Sequence, residues 1–326
     1  MKAQYRWDPQ PLKASLIELS EEVGSDAGQL LDDYRTFFSL PVPAGTHRMY
    51  RMNLEGFEVA VQQWRVPNAC GNLLMVHGYY DHVGLYGNLI DFAQQQHLNV
   101  LTFDLPGHGL SSGEPAAIDD FDTYQRVCDA ILRHGQQQWP DLPWVLAGQS
   151  TGGATLTTWL MQQRPDPAIS IVKDVWLLAP LLRPTGWNSG RWVHSVAQFF
   201  IKRIKRRFTL DGNNKAFFEF VAREDPLQAT HLSVSWVTAL KRWIRWMESC
   251  EPVHFPAVMV QGTSDLTVEW RYNVAVYQRL FPDMNVEIIE AAQHHLVNEE
   301  PERLGQIFTL LEKRLVNISA PSQGQA

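Results

Sequence analysis

The sequence predicts an α/β fold, with a mostly parallel central sheet covered by helices on both faces and interrupted by one helical insertion. Three observations predict it. From residue 47 onward, short apolar runs of strand length alternate with longer segments whose apolar residues recur at helical spacing. Runs such as "GNLLMVHG" end in glycine, as a buried parallel strand does where it gives way to a turn. The rhythm stops between about Leu182 and His254 and returns after Pro256. Strands alternating with helices in this way build a parallel sheet with both faces buried.

Taken in order, residues 1–46 are partly helical ("LIELSEEVG", "AGQLLDDYRTFF") and carry no identifiable chemistry. "HRMYRMNL" and "FEVAVQQWRV" read as paired strands joined by a turn at Glu55-Gly56. "GNLLMVHG" is a strand, "GNLIDFAQQQHL" a helix and "NVLTFDLPGHG" a strand that ends in a tight turn. "FDTYQRVCDAILRHGQQQW" spaces Phe121, Tyr124, Val127, Cys128, Ile131 and Leu132 on one helical face. "WVLAG" then leads into the helix "GATLTTWLMQQR" and the buried run "VKDVWLLAP". After the break, "AVMVQG", "WRYNVAVYQRLF", "NVEIIEA" and "PERLGQIFTLLEKRLVN" restore strand, helix, strand and helix. The predicted organisation is a core over residues 1–181, a helical cap or lid over 182–253, and the rest of the core over 254–326.

Composition narrows the function. The chain has 326 residues, of which 45% are apolar and 19% charged, the balance of a globular enzyme and not of a disordered protein. A net charge of −7 argues against a nucleic-acid partner. Cys70, Cys128 and Cys250 are odd in number and widely spaced, so neither a disulfide framework nor a zinc knuckle is expected. The first residues lack the apolar core of a signal peptide, and no window approaches the ~18 consecutive apolar residues of a membrane span. A soluble, cytoplasmic protein is the expectation.

The chemistry begins at "VLAGQSTGGA". Gly148-Gln149-Ser150-Thr151-Gly152 matches G-x-S-x-G, the nucleophile elbow of serine hydrolases, in which Ser150 sits on a strained strand-to-helix turn between residues without a Cβ. The bare pattern arises by chance in roughly one chain of this length in ten, so an acid, a base and an oxyanion hole must follow. In a doubly wound sheet these stand at the carboxyl ends of strands. Asp265 follows the strand "VMVQG", and His294-His295 follow "VEIIEA". The order Ser, Asp, His is the one expected of this elbow, and an insertion of about 70 residues explains the long gap between Ser150 and Asp265. The oxyanion donors are expected at the backbone N–H groups of Thr151 and Tyr79. His77 reads as a structural hydrogen-bonding residue beside Gly78.

"HGYYDHVGLYG", "FDLPGHGLSSG", "GQSTGG", "GTSDLTV" and "AQHHLVNE" together resemble five blocks of the monoacylglycerol lipase and lysophospholipase group of α/β-hydrolases, in that group's order. The resemblance implies an α/β-hydrolase fold, Ser150 as nucleophile, Asp265 as acid and His294 as base. It selects His294 over His295 because the base of that block stands five residues before a glutamate, here Glu299. It further implies hydrolysis of a small-molecule or lipid ester without metal or cofactor. Tyr79 and Tyr80 stand where small residues are common in the group, Asp81 stands for glutamate, and Ala291-Ala292 for Gly-Ala. Their bulk is expected to narrow the acyl pocket.

The insertion holds five of the twelve tryptophans (Trp187, Trp192, Trp236, Trp243 and Trp246). Residues 191–208, "RWVHSVAQFFIKRIKRRF", read as a basic amphipathic helix that packs on the site or touches an anionic membrane surface. A prolyl-type aminopeptidase, a thioesterase or an acyltransferase uses the same triad. A peptidase needs an acid for the substrate's free amine, and Glu219, Glu224 and Asp225 are the candidates. A non-catalytic binding protein would have lost a triad member, and none is missing.

Overall fold

The computed structural model describes residues 7–16, 27–187, 202–206 and 213–319. Two short helices open the chain, α1 (Pro9–Ser15) and α2 (Ala27–Phe37). Asp8 caps the first by accepting from the Gln10 N–H, with proline at the first helical position. The expected helix over "LIELSEEVG" lies outside the described residues beyond Leu16, whereas the one at 27–38 forms.

Strands β1 (Thr46–Leu54) and β2 (Phe57–Arg65) form the expected hairpin, with Leu54 paired to Phe57. Glu55 and Gly56 both take positive φ, as a two-residue turn matched to strand twist requires. There follow β3 (Gly71–Val76), α3 (Gly87–Gln95), β4 (Leu98–Phe103), α4 (Asp122–Gln138), β5 (Trp144–Gln149), α5 (Thr151–Gln163) and β6 (Val172–Leu178). Each lies where the sequence predicts it. The eight-stranded sheet has the order β1-β2-β4-β3-β5-β6-β9-β10, where β9 is Ala257–Gly262 and β10 is Met284–Ile289. Only β2 runs against the other strands, pairing antiparallel with β1 and β4, and every pairing from β4 across to β10 is parallel.

Because side chains alternate across a strand, each central strand feeds two cores. Leu74, Val76 and Leu146 join Tyr124, Val127, Ile131, Leu156 and Leu160 on the α4/α5 face. Leu73, Met75, Val145 and Ala147 join Leu89, Ile90 and Ala93 on the other. Trp7, Leu12, Tyr34 and Phe38 close that second face with Ile307 and Leu311 of α9 (Pro301–Ser319). Burial on both sides explains why these strands read as unbroken apolar runs.

β6 and β9 are neighbours, and the chain between them adds no strand to the main sheet among the described residues. It is not wholly helical. Besides α6 (Lys215–Arg223) and α7 (Val234–Ser249), it contains β7 (Arg203–Lys205) paired antiparallel with β8 (His231–Ser233). The expectation of a purely helical insertion over 182–253 is therefore corrected. So is the single helix over 191–208, because Arg203, Ile204 and Lys205 are extended; residues 191–201, 207 and 208 lie outside the described residues. Three-residue strands are too short to print a period, and their charges face solvent. Helix α7 lies against the core, where Trp243 donates to the Thr158 hydroxyl at 2.7 Å and stacks on Phe121. Helix α8 (Trp270–Leu280) precedes β10.

Candidate active site

Ser150 sits between β5 and α5 at φ 51°, ψ −110°, a conformation that side-chain-bearing residues avoid. The turn is tight enough to exclude side chains on either side. A Cβ on Gly152 would lie 2.0 Å from the Val76 carbonyl oxygen, and one on Gly148 2.5 Å from the Gly152 backbone. The two glycines predicted from spacing are thus sterically required. Backbone bonds fix the serine further: its N–H donates to Leu178 O, and its carbonyl accepts from Ala154 and Leu181. The residue is only 7% exposed.

His294 and Asp265 meet this serine. His294 Nε2 is 2.9 Å from Ser150 Oγ, and His294 Nδ1 is 2.7 Å from Asp265 Oδ2. With Nδ1–H donating to the carboxylate, Nε2 is the ring's acceptor and the serine hydroxyl donates to it. Asp265 is held by backbone as well, its Oδ1 accepting from Thr267 N–H at 2.8 Å and Val268 N–H at 3.1 Å. Gln261 Nε2 donates to Oδ2 at 3.0 Å. Burial pushes this carboxyl's pKa up, but the His294 ring and the bonds from Gln261 and Thr267 outweigh it and hold the group below its ordinary range. It is therefore ionised wherever the fold is intact near neutrality.

His295 turns away from Ser150. Its ring lies 4.9 Å from Phe217 and 5.7 Å from Tyr86, with Nε2 3.2 Å from Asp81 Oδ2. Glu299 is the physical reason its neighbour is well placed. Its Oε1 accepts from Gln293 N–H at 2.5 Å, and Asn213 donates to both carboxylate oxygens. Gln149 Nε2 donates to the His294 carbonyl at 2.7 Å, tying that loop to the elbow. Gln149, Gln261 and Asn213 were not singled out by sequence reasoning, since a lone amide in a turn carries no spacing signal.

The other predicted positions surround the serine. Thr151 opens α5, so its N–H has no acceptor within the helix. Gly78 to Asp81 form a turn closed by Asp81 N–H to Gly78 O at 3.2 Å, with Tyr79 and Tyr80 central. Tyr80 has φ +69°, the sign a type II turn needs at that place and one a bulky residue resists. A Cβ on Gly78 would fall 3.3 Å from the Ser150 Cβ, so the turn lies directly against that serine. His77 anchors it. Burial, with His108 nearby, drives this ring's pKa down to about 3, so it is neutral. Leu105 N–H donates to its Nε2 at 2.8 Å, which leaves Nδ1–H to donate to Gly78 O at 2.8 Å. His77 is structural, as expected.

Among the described residues, no group of three or more histidine, cysteine, aspartate or glutamate side chains is placed to hold a metal ion. No described helix is long and apolar enough to cross a membrane.

Comparison with known proteins agrees with this architecture. Residues 67–301 match the family described as serine aminopeptidase, S33. Monoglyceride lipase from Mus musculus is 24% identical over 265 residues, covering 77% of this chain and 84% of that protein. Phospholipase YtpA from Bacillus subtilis is 30% identical over 250 residues, covering 74% and 93%. Among solved structures, a soluble variant of monoglyceride lipase from Saccharomyces cerevisiae, in complex with a substrate analog, superposes with a TM-score of 0.75 at 16% identity. That match covers 87% of this chain and 99% of the other. With its parallel sheet, its elbow and a family match running from β3 to the start of α9, the chain belongs to the serine aminopeptidase, S33 family of α/β-hydrolases, in the monoglyceride-lipase-like group.

Proposed function

We propose that this serine ester hydrolase cleaves lipid monoesters, of the monoglyceride or lysophospholipid kind, through a Ser150–His294–Asp265 triad and an acyl-enzyme. The observation that carries the reading is the unbroken hydrogen-bonded line from Asp265 through His294 to a strained, nearly buried serine. His294 takes the Ser150 proton as Oγ attacks the ester carbonyl, and the Asp265 carboxylate stabilises the imidazolium that forms. The N–H groups of Tyr79 and Thr151 receive the developing oxyanion. Collapse of the tetrahedral species expels the alcohol, which takes the proton from His294. Water, deprotonated by the same imidazole, then attacks the acyl-enzyme and releases the fatty acid.

In this reading residues 182–253 are a cap between two portions of the core, 1–181 and 254–326. Its aromatic density, with five tryptophans between residues 182 and 253, supports an apolar acyl chain as substrate. The relatives support the lipid class, since one is a monoglyceride lipase and another a phospholipase.

None of the three acids considered for the aminopeptidase alternative is a free, site-facing carboxylate. Asp225 is buried and engaged by His82 at 2.9 Å, Glu219 is 3.9 Å from Arg223 on the exposed face of α6, and Glu224 is exposed. The test is hydrolysis of p-nitrophenyl esters from acetate to palmitate, then of 1-monoacylglycerol and lysophosphatidylcholine, by native protein and Ser150→Ala. Activity lost in the variant is the expected result; equal rates in the two proteins, or none in either, would remove the proposal.

A further inference from the structure

The two tyrosines that distinguish the turn at residues 78–81 are gripped by the segment between β6 and β9. The Tyr79 ring stacks on Trp236 of α7 with centroids 3.8 Å apart and planes 20° from parallel. The Tyr80 ring lies tilted at 42° against Tyr79 with centroids 4.1 Å apart, and the Arg206 guanidinium lies 3.9 Å over the Tyr80 ring. Tyr79 is pinned at its far end as well, its hydroxyl donating to Ala116 O at 2.7 Å. Arg206 is in turn fixed to the residues before β8: Nη1 donates to Gln228 Oε1 at 2.8 Å, and its backbone N–H to Thr230 O at 2.9 Å. A left-handed tyrosine persists only where its surroundings impose that conformation. Here the imposing groups come from the segment proposed as the cap.

We propose that Trp236 and Arg206 are positioning residues that set the oxyanion turn through the rings of Tyr79 and Tyr80. The inference rests on the Tyr79 N–H acting as an oxyanion donor. A ring stacked on an indole and tethered at its hydroxyl leaves its own backbone little freedom to rotate. The N–H is then aimed before substrate arrives, the preorganisation on which oxyanion stabilisation depends. The segment that covers the site thus also sets its electrostatics, and displacing it costs turnover even for a substrate too small to touch it.

The experiment uses p-nitrophenyl acetate and the matching thionoacetate, whose sulfur is a poor acceptor for N–H donors. Trp236→Ala is expected to lower kcat for the oxygen ester by about ten- to a hundred-fold with little change in KM. The oxygen-to-sulfur rate ratio falls with it, because the preference for oxygen resides in the aimed N–H. Trp236→Phe, which keeps a flat face, restores most of the ratio. Arg206→Gln lowers it in the same direction by less. Trp236→Leu fills the space without a flat face and gives the same readout should the alanine variant not fold. A raised KM with unchanged kcat, or oxygen and sulfur rates falling together at constant ratio, overturns the proposal and leaves the stack as packing. Absence of Ser150-dependent hydrolysis in the native protein is a different result, which removes the ester-hydrolase reading and this inference with it.

Discussion

His82 Nε2 and Asp225 Oδ2 stand 2.9 Å apart with both side chains fully buried, and they join the loop after β3 to the residue two positions beyond α6. Gln228 Nε2 and Leu227 N–H also donate to the Asp225 carboxylate, at 2.8 and 3.0 Å. Removing one partner strands the other without water. Asp225→Ala is expected to cost about 3–5 kcal/mol, read as a lowered urea midpoint with unchanged slope. An unchanged midpoint would mean that water enters and solvates His82.

The same pair gives a pH dependence with a definite sign. Burial alone would lower the His82 pKa, but Asp225, with Asp104 and Asp81, holds it above the ordinary value of 6.5. The stability it contributes is complete below about pH 6.5 and is lost as pH rises through the raised value. Burial alone would raise the Asp225 pKa, but His82 and the donors around it hold it low. That contribution is complete above about pH 4 and is lost as pH falls through the lowered value. The pair therefore stabilises most between about pH 4 and 6.5. The gap in melting temperature between native protein and Asp225→Ala should narrow as pH rises beyond neutrality; a gap that widens there contradicts the assignment.

Asp265→Asn keeps the size of the side chain but offers an amide where His294 Nδ1–H needs an acceptor. A drop in kcat on the order of 10³–10⁴ is expected, with KM little altered. Single-turnover acylation with a p-nitrophenyl ester measures it directly. A loss of tenfold or less would show that the imidazole does not depend on this carboxylate.

The adjacent histidines should separate cleanly. His294→Ala removes the ring that touches Ser150 and, on the proposed mechanism, should abolish turnover. His295→Ala removes contacts to Asp81, Asn298, Phe217 and Tyr86, and should lower stability while turnover persists. Comparable loss of kcat in both variants would return the choice between them to open question.

Glu299→Gln tests the loop behind the base. Gln293 N–H and Asn213 both donate to this carboxylate. Substitution replaces one acceptor oxygen by a donor, so about a tenfold fall in kcat is expected from a base displaced by a fraction of an ångström. Full activity would show that the Gln149 bond to the His294 carbonyl suffices to hold the loop.

The elbow was legible in the sequence because its glycines answer a steric demand that permits few substitutes. A Cβ at Gly152 meets a carbonyl oxygen of β3 at 2.0 Å, and Gly152→Ala should cost about 3 kcal/mol or more, measurable as loss of soluble, folded protein. Strands β3 to β6 were legible because burial on both faces forces continuous apolar runs. The choice of His294 over His295 was not readable from the residues themselves; it came through the resemblance, and Glu299 accounts for it physically. The β7–β8 ribbon stayed hidden because three residues hold no period. Tyr79 against Trp236 was equally hidden, since a stack between positions so distant in the chain leaves no local pattern.

Phe38 touches three places at once. Its ring meets His82 after β3, Phe220 on α6 and Trp7 before α1, while Phe37 reaches Phe220 as well. Yet the family match begins only at residue 67. The aromatic clasp by which the first helices grip α6 thus joins residues before that match to residues within it. A change at Phe220 therefore reaches the first helices through the Phe37 and Phe38 rings, so the segment between β6 and β9 and the start of the chain share one patch of packing.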